Sequence, residues 1–211
     1  DWIKNKKVQI NWKKIILFLL SILISFLIAR HLGSKILYLT VLISVALYLF
    51  FISIIDLKNE KLKSSQKISH LAFSILIISI ILNSIFSEEV SVNLKTGQER
   101  QVSKYLIKFE KISKVEIDNY TSLKAEIEVS QSDKKLKFYP ELRLYKVPET
   151  ITSEADIKTN LLNDNLVVVN YLKDTDYLNI RYQKKPFMLL IWSSAILLGI
   201  GGLLGLRKNY K

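Results

Sequence analysis

The sequence predicts an α-helical multi-pass membrane protein, with about four transmembrane helices and an inserted all-β extramembrane domain built as a small antiparallel barrel or sandwich. Three observations predict it. Apolar residues are clumped into four long runs, each near the roughly 20 residues that a helix needs to cross a bilayer. Between the third and fourth runs the hydrophobic period changes from helical to two. The positive charge gathers at the ends of the apolar runs and not on the intervening domain.

Residues 1–87 are read as three transmembrane helices at about 10–29, 36–55 and 68–86. The first is long enough only if Val8 to Trp12 joins the run from Ile15 to Ala29. Its interior Ser21 and Ser25 are cheap in lipid, because a helical hydroxyl can bond a backbone carbonyl one turn back. The short link from Arg30 to Lys35 implies an antiparallel hairpin with the second helix. The third helix is the most polar of the four, carrying His70, Ser74, Ser79, Asn83 and Ser84, and is the least suited to facing lipid on all sides. Residues 187–211 form the last helix and a basic tail, and Gly201 and Gly205 provide the small-xxx-small spacing that admits a second helix closely.

Residues 88–186 form the β domain. Leu123, Ala125, Ile127 and Val129 alternate with Lys124, Glu126 and Glu128, as in a strand with one buried and one wet face. Similar strands are expected at 90–94, 105–112, 136–139, 142–147, 166–172 and 177–182, separated by turn chemistry such as Lys95-Thr96-Gly97. A short helix is expected within 153–162, capped by Ser153.

The net charge is +12, yet residues 88–186 hold 17 Lys and Arg against 16 Asp and Glu. A nearly neutral folded domain argues against nucleic acid as a partner. The excess instead flanks the helices: Lys4, Lys6, Lys7, Lys13 and Lys14 before the first, Lys58, Lys61, Lys63 and Lys67 between the second and third, and Arg207, Lys208 and Lys211 at the end. The positive-inside rule then places both termini in the cytoplasm or matrix, and the β domain on the periplasmic or intermembrane-space side. The chain has no cysteine, which excludes thiol exchange and thiolate metal sites within it. It begins at Asp1 and its one methionine is Met188, so it is read as part of a longer translation product.

His70 is the sharpest candidate for chemistry, since an ionisable side chain about one turn inside a membrane helix is expensive unless it serves a purpose. Ser65, Ser69 and Ala72 surround it with small residues, a face on which a flat ligand could lie. Neutral imidazole is also a good axial ligand for haem iron. The alternative is a histidine bonded to a neighbouring helix or snorkelling to the basic interface. His31, the other histidine, sits in the outer turn, about a bilayer thickness of roughly 30 Å from His70, and cannot be its partner. In the β domain, Glu141, Arg143 and Tyr145 alternate onto one strand face, where Glu141 and Arg143 can pair. Asp174 and Asp176 are a weak cation candidate, better read as a solvated turn. There is no phosphate-binding glycine loop, zinc cluster or nucleophile–base motif.

Taken together these features resemble the C-terminal part of CcmF, the haem-handling membrane subunit of cytochrome c maturation system I. The resemblance rests on Ser69-His70-Leu71-Ala72 opening a membrane helix, then Pro140-Glu141-x-Arg143-x-Tyr145, Ser153-Glu154-Ala155-Asp156-Ile157 and, loosely, Asn165-Leu166-Val167-Val168. Lys185-Pro186, Ile191-Trp192 and Leu198-Gly199-Ile200-Gly201-Gly202 follow in order. It implies that His70 is one of two transmembrane histidines holding a haem b that reduces the haem destined for attachment. Glu141, Arg143, Tyr145, Glu154 and Trp192 are carried along as structural or partner-binding candidates. The family's tryptophan-rich haem-binding segment, its outer-face histidines and the second haem b ligand are not in this chain. Ser65 and Gln66 also stand where family members often have Gly-Met.

The expectation is therefore a C-terminal portion or split subunit of a cytochrome c haem lyase, without a self-contained catalytic site. Its partners would be the rest of CcmF or its other split subunits, other cytochrome c maturation proteins, apocytochrome c and membrane lipid. The Ile-, Lys- and Asn-rich composition suggests an AT-rich genome, that of a mitochondrion or a reduced bacterium, and so a mitochondrial or bacterial inner membrane. The alternative is a non-haem scaffold whose β domain binds partners in an envelope assembly complex.

Overall fold

A computed structural model describes residues 12–32, 39–172 and 175–206 of the chain. The expectations for Lys4, Lys6, Lys7, the turn at Gly33 to Lys35, Asp174 and the tail at Arg207, Lys208 and Lys211 lie outside those residues. The chain divides into two units, one formed by residues 1–82 with 189–211 and the other by residues 83–188.

The helical segments are α1 (Trp12–Leu32), α2 (Leu39–Leu57), α3 (Ser64–Phe86) and α4 (Met188–Leu206). All four are long and apolar enough to cross a membrane. Several of their serines are satisfied within the helix. Ser21 Oγ–H donates to the Leu17 carbonyl and Ser25 Oγ–H to that of Ile22, both at 2.9 Å, and Ser44, Ser53, Ser74 and Ser194 do the same. Ser21, Ser25 and Ala29 form a buried stripe on α1. α1 packs on α2, with Phe18 edge-on to Tyr48 at 5.4 Å between ring centres.

α3 begins at Ser64, four residues before the expected start. The reason is local. Gln66 Oε1 accepts the Lys63 backbone N–H at 3.1 Å, which caps the first turn, and Lys67 Nζ donates to the Leu57 carbonyl at the end of α2. His70 is thus the seventh residue of α3, nearly two turns from its start.

The β unit is a sandwich, not a barrel. Its strands are β1 (Glu88–Leu94), β2 (Glu99–Val102), β3 (Tyr105–Glu116), β4 (Tyr120–Gln131), β5 (Lys134–Phe138), β6 (Glu141–Lys146), β7 (Glu149–Glu154), β8 (Asp156–Thr159), β9 (Asn163–Tyr171) and β10 (Leu178–Pro186). One sheet runs β1-β10-β9-β8 and the other β2-β3-β4-β6-β7, with β5 also on β4. Every pairing is antiparallel. Inward residues of both sheets make one core, in which Ile107, Ile127, Phe138, Val167, Val169 and Ile180 are wholly buried. Strand alternation puts them there, as at Ala125, Ile127 and Val129.

The expected helix within 153–162 does not form. Residues up to Glu154 belong to β7 and pair with β6, and Asp156–Thr159 are β8, paired with β9. Ser153 is not a helix cap, and its hydroxyl donates to Asn170 Oδ1 of β9 at 2.9 Å. This segment is where the chain changes sheets, so each half takes its hydrogen bonds from a different strand.

Candidate functional site

The small-residue face of α3 is already occupied. Gly201 of α4 lies so close to Ser69 that a Cβ there would collide with Ser69 Oγ and stand 3.0 Å from its backbone nitrogen. Gly205 faces Ser65, with 3.9 Å to a Cβ built on it. Ala72 is buried on the same α3 face. The expected flat-ligand surface along Ser65, Ser69 and Ala72 is therefore a helix–helix contact, which the small-xxx-small spacing of Gly201 and Gly205 makes possible.

His70 is set about 100° around α3 from Ser69, off that contact. It is exposed, as are Phe73 and Ile80 on neighbouring positions of the same face. Its imidazole has no hydrogen-bond or ion-pair partner among the described residues. Among the described residues it is therefore bonded to no neighbouring helix. Neutral imidazole is chemically able to take an axial position on haem iron. His31 is exposed in the last turn of α1. Trp192, in α4, is 62% exposed and nine residues before Gly201, half a turn away from the α3 contact.

The β-domain candidates come together. Pro140 is fully buried where β5 gives way to β6. Both strands pair with β4, and the Ala125 N–H donates to the Pro140 carbonyl at 3.0 Å, so the kink costs no backbone bond. Beyond the kink, Arg143 Nε lies 3.4 Å from Glu141 Oε2, and Arg143 Nη1 lies 3.7 Å from Glu154 Oε1 across the β6–β7 pair. The Glu141–Arg143 pairing expected from the sequence is present. The Arg143 guanidinium also sits 5.2 Å from the centre of the Tyr120 ring, which is itself 5.2 Å from the ring of Tyr145. Interaction with Tyr145, then with Glu141 and Glu154, holds the guanidinium charge against some desolvation and raises its pKa.

Tyr120 and Ser122 are members of this patch that sequence reading missed. Ser122 Oγ–H donates to Glu141 Oε2 at 3.2 Å. The alternation of β4 places both residues on one face, but only the register Tyr120↔Tyr145 and Ser122↔Arg143 brings them to Arg143. A second unanticipated cluster joins the two sheets. Tyr105 donates to Glu88 Oε2 at 2.8 Å, Lys104 pairs with Glu88 at 2.7 Å, and Tyr182 donates to Asn165 Oδ1 at 2.9 Å. Asp176 pairs with Lys95 at 3.3 Å, and no cluster of metal-ligating side chains occurs among the described residues.

Residues 85–186 match the family model described as the CcmF C-terminal beta-sandwich. The chain belongs with the C-terminal part of the CcmF family. Among curated relatives it is 30% identical over 148 residues to the cytochrome c-type biogenesis protein CcmF of Pseudomonas aeruginosa, covering 69% of this chain and 22% of that protein. It is 23% identical over 213 residues to CcmF of Escherichia coli, covering 96% of this chain and 33% of that one. The chain therefore spans about a fifth to a third of the length of these CcmF proteins. A solved structure of cytochrome c haem lyase CcmF superposes with a TM-score of 0.69 at 11% identity, covering 95% of this chain and 35% of the other, and the likeness is one of fold.

Proposed function

We propose that this chain acts as the C-terminal portion or split subunit of a CcmF-type cytochrome c haem lyase, with His70 as one axial ligand of a haem b shared with a second histidine outside the chain. The observation that carries this is the unpartnered, exposed imidazole of His70 on a membrane helix of a CcmF-type chain. An ionisable side chain left free in that setting is costly unless another group takes it up. When bound, haem b would supply the electrons that reduce the haem to be attached. The protein's own contribution would be positional. The Gly201–Ser69 contact locks α3 against α4, and so fixes the direction in which His70 leaves the helix.

In this reading the β domain faces the periplasm or intermembrane space, and the helix ends carrying Lys13, Lys14, Lys58, Lys61 and Lys63 face the cytoplasm or matrix. The Glu141, Arg143, Tyr145 and Glu154 patch then faces water, available to other maturation proteins or to apocytochrome c. The assembled complex would be purified from wild type and from His70→Ala, and its b-type Soret absorbance measured. Loss of that absorbance in His70→Ala is expected, with partial return in His70→Gly supplied with free imidazole. Unchanged b-type haem would remove His70 from the site. If the complete wild-type complex shows no haem absorbance while the β domain still captures maturation partners, the chain is a scaffold.

A further inference from the structure

We propose that the turn between β8 and β9, carrying Leu161 and Leu162, is a lipid anchor that dips into the bilayer interface where α4 enters the membrane. The two leucines are 82% and 71% exposed, adjacent, and at the tip of a hairpin. They are not there because the turn is loose. Asn160 Oδ1 accepts the backbone N–H groups of both Leu162 and Asn163 at 2.9 Å, and the Asn160 N–H donates to the Asn163 carbonyl at 3.0 Å. A turn whose backbone is satisfied by asparagines has no need of leucine at its tip in water. Two neighbouring apolar side chains held outward by a rigid turn fit a surface that takes apolar groups.

The position of the turn names that surface. The Phe187 N–H donates to the Leu162 carbonyl at 2.9 Å, and Phe187 immediately precedes α4. Phe187 has φ 63, in the left-handed region, at the point where strand gives way to helix. Asn83 Nδ2–H donates to the Pro186 carbonyl at 2.6 Å, which ties the last turns of α3 to the same junction. The leucine turn is therefore hydrogen-bonded to the residue that immediately precedes α4, within the unit formed by residues 83–188. Just beyond the turn, Lys158 and Lys184 are both in register with Asn165, and Lys185 is in register with Asp164. At about 3.3 Å per strand residue, the backbone positions of these lysines lie about 10 Å from the turn, the depth of a phospholipid headgroup layer, with Lys158 Nζ 5.5 Å from the centre of the Phe138 ring. An apolar tip with lysines on the strands that flank it suits an anionic bilayer interface. The proposal does not depend on haem binding.

The chain has no cysteine, so Leu161→Cys, Leu162→Cys and, as a control at the 89%-exposed turn after β6, Val147→Cys each give a single labelling site. Each full chain would be labelled with an environment-sensitive fluorophore and reconstituted in phosphatidylcholine–phosphatidylglycerol vesicles. The label would then be quenched in turn by iodide and by phospholipid bearing a nitroxide near the headgroup. We expect labels at 161 and 162 to emit to the blue of the label at 147, to be several-fold less sensitive to iodide, and to be quenched by the nitroxide lipid. Iodide quenching equal to that at 147 would overturn the proposal. So would protection from both quenchers, which would mean that protein, not lipid, covers the turn.

Discussion

The two units of this chain use the same aliphatic residues in opposite ways. In the β domain, fifteen residues from both sheets form one closed core, and the outer faces carry Lys, Glu and Tyr. In the helical unit only 11% to 22% of each span is buried, and Leu23, Leu203 and Phe73 point outward. Apart from Ile43, what the described helices bury is small: serines such as Ser21, Ser25, Ser74, Ser79 and Ser194, with Ala29, Ala46, Ala72 and Gly201. Water drives apolar side chains together and so builds the first kind of core. Lipid exerts no such drive, and helices there associate where small side chains let backbones approach. The comparison predicts that methylene loss should hurt the β domain, and methylene gain the helices.

The largest expected effect is therefore Phe138→Ala. Phe138 is wholly buried and packs 6.1 Å from Tyr182, so its truncation should cost about 4 kcal/mol of domain stability. Urea unfolding read by tyrosine fluorescence would show it, while the helical circular dichroism stays in place. Simultaneous loss of the helical signal would show that the two units are not separate in stability. The converse test is Gly201→Leu, which forces a side chain into Ser69. About 2 kcal/mol of helix–helix destabilisation is expected, read as a shifted denaturing-detergent titration. Gly202→Leu has open space at its Cβ and should be neutral. Equal effects at the two positions would remove the close contact from the account.

Smaller effects lie in the pH dependence of the β domain, a region whose buried tyrosines the helical unit does not match. Burial and the nearby Glu88 charge push the Tyr182 hydroxyl up to about 12, against a weaker opposing bond with Tyr105. Its folded pKa exceeds the unfolded value of about 10, so its contribution is fully present below pH 10 and lost as pH rises toward 12. Glu88 behaves in reverse. Burial raises its pKa, but the bonds from Lys104 and Tyr105 outweigh this and lower it overall. Its contribution holds above the unfolded value of about 4.3 and fades as pH falls through the folded one. Thermal melts of Tyr182→Phe should lose part of the alkaline slope, and those of Lys104→Met part of the acid slope. An unchanged slope in either variant would show that the group does not govern it.

Most of the fold was legible because lipid and water each leave a period in the sequence. The β4 alternation at Leu123, Ala125, Ile127 and Val129 and the four apolar runs are such records. β2, β7 and β8 left none. Glu99-Arg100-Gln101-Val102 and Glu149 to Glu154 bury little on either face and are strands only through their neighbours' hydrogen bonds. Residues 153–162 show why the helix expectation failed. Ile157 and Leu161 stand four apart as on a helix, but one lies in an edge strand and the other in a turn, both exposed. His70 was legible as an ionisable group in an apolar run. The partner of Ser65 and Ser69 was not, because two small-residue stripes can each be read in a sequence while their mutual fit cannot. For the same reason the Glu141–Arg143 pair was foreseeable within one strand, and Tyr120 was not.

The smallest effect on folding is expected at that patch, where the comparison can be sharpened furthest. Arg143 and its carboxylate partners are partly exposed, and pairs of this kind contribute about 0 to 1 kcal/mol. Arg143→Lys keeps the charge but loses the planar group that lies over Tyr120 and reaches both Glu141 and Glu154. Urea unfolding should shift by less than about 1 kcal/mol. If the patch serves partners, capture of maturation proteins by the assembled complex should fall several-fold in the same variant. A stable, fully partner-competent Arg143→Lys would mean that the outer face of this sheet, like the outward leucines of the helices, only meets solvent.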